Sequence, residues 1–248
     1  MSNDALPLAL VEPSVAARWN AIFERGGDKA YPTLDLVRLE RWYWGGHQGR
    51  VLEYGFGSGA NLVHLLKGGH EVDAIDVSPA ARAMVEKKLA NLAPLGRVRL
   101  SLLAPDAQRL PYEDGIFDYV CCLSVLSLLA SRPRVEKLLG EFLRVMKPGA
   151  KLIADINSPN SDFARGSEQV GDGVYLFRGL SGTDAPVPTY CPSTASEFAA
   201  LFSAFRVDDV GYSAYKYGPS EILEYIVCAS RPSATDIRAP VSEPGDTT

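Results

Sequence analysis

Apolar and polar positions form a repeating pattern from residue 50 onward, in which short apolar runs alternate with segments of helical spacing. Several runs are apolar on both faces, as expected for strands of a parallel sheet covered by helices on each side. This alternation predicts a doubly wound α/β sheet. The first predicted strands are RVLEY (50–54), EVDAI (71–75), RVRLSLL (97–103), IFDYVCCL (116–123) and KLIADI (151–156).

Three segments between these strands carry helix signals. One follows Gly59 and ends at the pair Gly68-Gly69. Another begins at Ser78-Pro79, where an N-cap residue precedes a proline at the first helical position. The third has a stripe of apolar residues, and the KPG sequence at 147–149 is expected to end it.

The regions outside this alternation extend the predicted organisation. Residues 1–48 include two amphipathic segments rich in aromatic residues, and we expect them to form an N-terminal helical lid. Residues 49–232 are expected to form the core, with a polar insert at about 158–190. Two late strands, near 205–213 and 222–230, are separated by too few residues for a helix, so they should be antiparallel neighbours. The polar tail 233–248 is expected to be disordered.

The composition limits the possible functions. A length of 248 residues favours one large domain, and 46% hydrophobic with 22% charged residues is typical of a soluble globular protein. The net charge of -5 argues against a broad surface for DNA or RNA. No apolar stretch approaches the ~18 residues of a membrane span, and no basic leader is present, so we expect a cytoplasmic protein. Four cysteines without a CxxC pair and three scattered histidines predict no metal site.

A glycine-rich turn follows the first strand, as Gly55-x-Gly57-x-Gly59. Glycines between a strand and a helix start direct backbone N–H groups and the positive helix end at a ligand. The spacing of Gly55, Gly57 and Ala60 also fits the dinucleotide-binding Rossmann turn. However, no basic residue lies at the turn, and the next strand ends in an acid, Asp76, which disfavours a ligand with a 2′-phosphate.

Four motifs occur in order over about a hundred residues: EYGFGSG (53–59), VDAIDVSP (72–79), DAQRLPYEDGIFDYV (106–120) and LRVMKPGAKLIADIN (143–157). In this order they resemble the class I S-adenosylmethionine-dependent methyltransferases, small-molecule branch. The resemblance implies a Rossmann-like, mostly parallel sheet of about seven strands, with the last strand antiparallel beside the fifth. It also implies S-adenosylmethionine as the methyl donor and S-adenosylhomocysteine as the product.

The resemblance carries specific cofactor roles onto this sequence. Asp76 would accept hydrogen bonds from the ribose hydroxyls, and Asp106 one from the adenine amino group. Glu53 would face the positive methionine end or brace the loop, and Tyr31, in the lid, would reach the methionine carboxylate. The full set implied for the cofactor is Tyr31, Glu53, Gly55, Gly57, Gly59, Asp76, Val77, Asp106, Ala107 and Leu123.

The acceptor site is expected beyond the carboxyl ends of the fourth and fifth strands, the usual crevice of open α/β sheets. The candidate acceptor residues are Ser124, Asn157, Tyr190 and Tyr215. We expect in-line transfer of a methyl group to an oxygen or nitrogen of a small metabolite, a reaction in which proximity supplies much of the acceleration. No residue is assigned as a catalytic base, because His47, His64 and His70 lie away from this crevice and are interpreted as structural or solvated.

Three alternatives stay open at the level of sequence. A protein or nucleic-acid methyltransferase is disfavoured because no NPPY-type motif follows the fourth strand and no basic stripe is present. A thiol or arsenic methyltransferase would need converging cysteines, whereas Cys121 and Cys122 lie in an apolar run. A noncatalytic interaction protein that binds the cofactor is disfavoured by the intact glycines and acids.

Overall fold

A computed structural model describes residues 8–92, 96–104, 106–179, 185–218 and 220–233. Its main sheet has seven strands in the order β3-β2-β1-β4-β5-β10-β9. Their bounds are β1 Arg50–Tyr54, β2 Glu71–Asp76, β3 Val98–Leu102, β4 Phe117–Cys122, β5 Met146–Asn157, β9 Arg206–Tyr217 and β10 Ser220–Ser230.

Strands β1 to β5 run parallel, whereas β10 pairs antiparallel with β5 and with β9. This confirms the predicted α/β class, the seven strands and the antiparallel last strand beside the fifth. The late hairpin is longer than expected, since β9 continues to Tyr217. Strand β5 begins at Met146, directly after the preceding helix, so the KPG turn ends the helix as predicted but already belongs to the strand.

Helices cover both faces of the sheet. They are α1 Pro13–Glu24, α2 Leu34–Trp42, α3 Ala60–Lys67, α4 Pro79–Ala90, α5 Arg132–Val145 and α6 Ala195–Ala200, with a short 3-10 helix at Leu126–Leu129. Alternate residues of each central strand point to opposite sides. In β1, Leu52 packs with the α5 and α6 side, and Val51 packs with α2, α3 and α4. Burial on both faces explains why these strands appear as continuous apolar runs.

A second, three-stranded antiparallel sheet lies inside the region that the sequence marked only as a polar insert. Its strands are β6 Glu168–Gly171, β7 Val174–Phe177 and β8 Val187–Tyr190. Val15 of α1 packs against Phe177 and Val187, so this small sheet braces the N-terminal helix. No helix in the described part of the chain is long and apolar enough to cross a membrane.

The turn after β1 depends on close packing against the neighbouring helix. Gly59 precedes α3 with a left-handed φ of 83°, and a Cβ there would lie 2.7 Å from Val85 Cγ2 on α4. We expect Gly59→Ala to lower the free energy of unfolding by about 2–4 kcal/mol, from left-handed strain and overpacking together.

The matched control is Gly140→Ala. Gly140 lies in the exposed face of α5, where a Cβ meets nothing within 4 Å, so the change should stabilise the protein by about 0.5–1 kcal/mol. Urea melts of both variants measure the two effects. Equal stability changes in the two variants would show that neither the left-handed backbone nor the close packing at Gly59 requires glycine.

Candidate functional site

A cavity of about 370 Å³ lies at the carboxyl ends of β1, β2 and β4, at the point where the strand order reverses. This switch point is where open α/β sheets bind ligands. Its floor comes from the loop after β1 and the ends of β2 and β4, and its roof comes from α1 and the segment 27–33.

The glycine loop has the backbone conformation that its sequence predicts. Gly55 and Gly57 have φ values of 81° and 50°, which side chains other than glycine rarely adopt. A Cβ on Gly55 would lie 2.4 Å from Val125 Cγ2, so the loop passes directly against the segment after β4. The loop therefore brings main-chain groups close to the cavity without side chains in between.

Asp76 connects this loop to the next helix. Its Oδ2 accepts a hydrogen bond from Gly57 N at 2.8 Å, and its Oδ1 accepts one from Ser78 N at 2.9 Å. Burial raises the pKa of the Asp76 carboxyl, and the hydrogen bonds from Gly57 and Ser78 oppose that shift. The side chain lines the cavity, so Asp76 holds the glycine loop in place and also presents carboxylate lone pairs to a ligand.

Glu53 is the unusual group of the site. It is 2% exposed at the end region of β1, and neither of its carboxylate oxygens has a hydrogen-bond partner. Burial, with a smaller contribution from the charge of Asp76, raises the pKa of the Glu53 carboxyl to about 8. A buried acid without a partner is unstable as an anion, so this position favours a proton or a ligand cation.

The N-terminal segment is fixed over the cavity by specific polar contacts. Asn20 of α1 accepts hydrogen bonds at Oδ1 from Ser78 Oγ at 2.8 Å and from Ala80 N at 3.0 Å. Farther along, Lys29 N donates to Ser58 Oγ at 3.0 Å and Thr33 N donates to Asn61 Oδ1 at 2.8 Å. The roof is therefore anchored both to the glycine loop and to the start of α4.

The other end of the cavity lies beyond β4. Ser124 lines it in a left-handed conformation with φ 60°, and Ser124 N donates to Asp155 Oδ1 at 2.6 Å. Burial and the charge of Glu224 raise the pKa of the Asp155 carboxyl well above its usual range. The buried carboxyl thus stabilises a backbone conformation that a serine seldom adopts.

The cavity brings six of the predicted residues together. These residues are Gly55, Gly57, Asp76, Val77, Leu123 and Ser124. Glu53 lies buried in β1 itself, and Gly59 forms the N-cap of α3 behind the loop.

The other predicted residues do not line the cavity. Tyr31 is 82% exposed, and Asp106 is exposed at the surface. Ala107 pairs with the N-terminal segment, since Leu10 N donates to its carbonyl at 2.9 Å. Asn157 is buried with Oδ1 accepting from Ser161 Oγ. Tyr190 is buried in β8, and Tyr215 is half-exposed on β9.

Sequence reasoning missed most of the roof. Trp19, Phe23, Lys29 and Thr33 line the cavity, whereas the sequence predicts a site role for only Tyr31 in this region. His64 and His70 place their Nε2 atoms 2.7 and 3.2 Å from the Glu40 carboxylate, and neither residue lines the cavity. All four cysteines are buried and free, and the described residues contain no cluster suited to a metal ion.

Comparisons with known proteins agree with this architecture. Residues 52–154 match the family described as "Methyltransferase domain". The chain is 27% identical over 146 residues to a putative methyltransferase, YqeM, of Bacillus subtilis, covering 55% of this chain and 56% of that protein. It is 33% identical over 164 residues to a demethylmenaquinone methyltransferase of Beutenbergia cavernae, covering 64% and 62% respectively. The matches thus span little more than half the length of these relatives.

A solved structure extends the fold comparison. It is the Burkholderia thailandensis 1,6-didemethyltoxoflavin-N1-methyltransferase with bound 1,6-didemethyltoxoflavin and S-adenosylhomocysteine. The TM-score is 0.63 at 13% identity, and the match covers 89% of each chain. At this identity the likeness concerns the fold.

The isolated Glu53 carboxyl makes stability depend on pH. The folded chain keeps this proton up to about pH 8, whereas the free side chain loses it near pH 4.5. Wild-type stability should therefore fall as pH rises through this window, because unfolding releases a proton. Glu53→Gln removes the titration, so the variant should gain stability relative to wild type by on the order of a few kcal/mol near pH 8.

Urea melts at about pH 5 and about pH 8 measure this difference for both proteins. Glu113→Gln, a change at an exposed acid, is the matched control and should show no such trend. If the stability difference between wild type and Glu53→Gln were the same at both pH values, this result would contradict a raised pKa of the Glu53 carboxyl.

Proposed function

We propose that this chain, whose residues 52–154 match the family described as "Methyltransferase domain", is a class I S-adenosylmethionine-dependent methyltransferase that methylates a small-molecule acceptor on oxygen or nitrogen. The observation that carries the proposal is the cavity at the switch point of the sheet. It joins a glycine loop and the Asp76 carboxylate, and the unpartnered Glu53 carboxyl is buried in β1 behind them.

The residues at the cavity fit S-adenosylmethionine better than a dinucleotide. The loop from Gly55 to Gly59 contains no basic side chain, and S-adenosylmethionine, which has no phosphate group, needs none there. Asp76 suits ribose hydroxyls, and Glu53 suits an ammonium group, because it has no other partner. The acids of the lining, Glu12, Asp28 and Asp76, disfavour the phosphates of a dinucleotide.

When bound, S-adenosylmethionine would supply a methyl group activated on a sulfonium, with a good leaving group. The chain's own residues have to position the acceptor and exclude water. Asp76 would bind the ribose while still holding Gly57, and Glu53 would lose its proton as it pairs with the ammonium group. Because the displacement is in line, proximity and orientation supply much of the acceleration.

The far wall of the cavity supports a small acceptor with an apolar body. It is formed by Trp19 of α1 together with Val125, Leu128 and Leu129 after β4. Ser124 adds a hydroxyl beside this wall, and we place the reacting oxygen or nitrogen near it. A roof that closes directly over the cavity favours a small molecule over a polymer, which would need an open groove.

The predicted acceptor residues that do not line the cavity remain part of this proposal. Asn157, Tyr190 and Tyr215 would contact only an acceptor that extends beyond the cavity toward β5, β8 and β9.

We likewise propose that the N-terminal region acts as a lid, of which residues 1–7 lie outside the described part of the chain. Tyr31 and Asp106 would meet the cofactor only after movement of their segments. The expected cytoplasmic location stays a prediction, and the expected disordered tail from residue 234 onward lies outside the described residues.

A labelled-methyl screen tests the function. We expect the purified chain to transfer label from S-adenosylmethionine to one of a pool of phenols, alcohols and amines, with S-adenosylhomocysteine formed in equal amount. Nuclear magnetic resonance of the product identifies the methylated atom. A methyl group on carbon would contradict the predicted atom, and label found only in protein or nucleic acid would favour the alternative substrates. Binding of S-adenosylhomocysteine without any turnover would favour a noncatalytic interaction protein.

Asp76 gives a sharper test of the binding site. We expect Asp76→Ala to weaken S-adenosylhomocysteine binding by about 2–3 kcal/mol, and Asp76→Asn by an intermediate amount, since charge-assisted hydrogen bonds are lost. Stability should fall as well, by about 1–2 kcal/mol, because Gly57 N and Ser78 N lose their acceptor. Calorimetric titration and a melting curve for each variant separate the two effects.

The matched control is Asp118→Asn at the opposite end of the sheet. Asp118 also accepts a backbone hydrogen bond, from Arg50 N at 2.9 Å, and it pairs with Lys147. This variant should lose stability without losing affinity. If Asp76→Ala behaved in the same way as Asp118→Asn, Asp76 would be a structural residue only.

A further inference from the structure

Lys29 is the one cationic side chain among the described residues that line the cavity. The other charged residues of the lining are acids, namely Glu12, Asp28 and Asp76. Lys29 lies in the segment between α1 and α2, which the sequence assigned to the lid without giving this residue a role.

The main chain around Lys29 is fixed independently of its side chain. Lys29 N donates to Ser58 Oγ at 3.0 Å. The neighbouring Asp28 pairs with Lys88, whose Nζ also donates to Ser58 O at 2.7 Å. Four residues later, Thr33 N donates to Asn61 Oδ1 at 2.8 Å. A change of the Lys29 side chain therefore leaves the contacts that hold the segment in place.

The ammonium group itself has no close partner. No hydrogen bond and no ion pair within 4 Å joins Lys29 Nζ to a described residue. Its charge nevertheless reaches Asp155, near the carboxyl end of β5, and Glu224 on the adjacent β10, where it opposes the burial that raises the pKa of both carboxyls. The side chain thus extends from the roof toward the sheet with its three N–H donors available.

Lys29 is consequently the one cation that the described lining offers to an anionic group of a ligand. Glu53, a buried carboxyl without a partner, lies in β1 behind the lining, near enough for the charge of Asp76 to act on it. An amino-acid group carries the opposite charges, an ammonium and a carboxylate, on one carbon atom. Lys29 is the one described lining residue whose charge matches the carboxylate of such a group.

We propose that Lys29 binds the carboxylate of the methionine part of S-adenosylmethionine, an inference that rests on the function proposed above. Tyr31, for which the sequence predicted this contact, is 82% exposed and does not line the cavity. Lys29 is a binding residue in this proposal and takes no part in the transfer of the methyl group.

A pair of ligands that differ only in the carboxylate tests the proposal. They are S-adenosylhomocysteine and its decarboxylated analogue, 5′-deoxy-5′-(3-aminopropylthio)adenosine. Calorimetric titration of the full chain with each ligand gives the contribution of the carboxylate directly. We expect wild type to bind S-adenosylhomocysteine at least about tenfold more tightly than the analogue, as a charge-assisted contact implies.

The variants then assign that preference to a residue. Lys29→Met should weaken S-adenosylhomocysteine binding by about tenfold or more and change binding of the analogue less than about twofold. Lys29→Arg should restore part of the preference, because it keeps the charge. Lys67→Met removes an exposed lysine from the end of α3 and controls for net charge, and Tyr31→Phe tests the competing assignment.

Each outcome has one meaning. Equal losses for both ligands in Lys29→Met would show that Lys29 only supports the segment, and unchanged binding of both would exclude a contact; either result overturns the inference while the proposed function stands. If Tyr31→Phe instead weakened binding of S-adenosylhomocysteine but not of the analogue, Tyr31 would be the residue that binds the carboxylate. Failure of wild type to bind S-adenosylhomocysteine at all would overturn the proposed function together with this inference.

Discussion

The Asp76 carboxylate is the interaction on which the rest of the site depends. One oxygen accepts from the glycine loop after β1, and the other accepts from the residue that caps α4. The end of β2 is thereby joined to its neighbouring strand and to the following helix by one side chain. Because Asn20 of α1 accepts a hydrogen bond from the same cap residue, Ser78, the roof is positioned by this arrangement too. A single carboxylate thus sets the relative positions of floor, wall and roof.

The central sheet was predictable because each of its inner strands is specified by a short local run of residues. Each inner strand is buried on both faces, so its sequence is a short continuous apolar run, and the glycines between β1 and α3 are required by the left-handed backbone there. The small sheet of the insert was not predictable in this way. Strand β6 is exposed along its whole length, and β7 and β8 have four residues each, so neither pattern nor length separates them from a loop.

The residues of the site divide in the same way, into those that the local sequence predicts and those that it does not. Asp76, Val77 and the glycines follow directly from strand ends, where sequence position fixes spatial position. Asn20 and Lys29 belong to the site through contacts with residues 58 and 29 positions away in the chain. Nothing in the local sequence around Lys29 distinguishes it from any surface lysine. Tyr31, two residues later, was the more conspicuous choice, yet the fold turns it toward solvent.

The position of β10 has a consequence for how the chain assembles. Although it is the last of the described strands in sequence, β10 lies inside the sheet, between β5 and β9. During synthesis the free edge of β5 has no partner until residues 220–230 have left the ribosome, because β9 pairs only with β10 among the strands that the structure describes. The pairing of β5 with β10 closes a loop of more than sixty residues, from Asn157 to Glu224, and such long closures slow folding. A nascent chain therefore exposes an unpaired strand edge until β10 has been made, and such an edge is a surface that chaperones protect from aggregation.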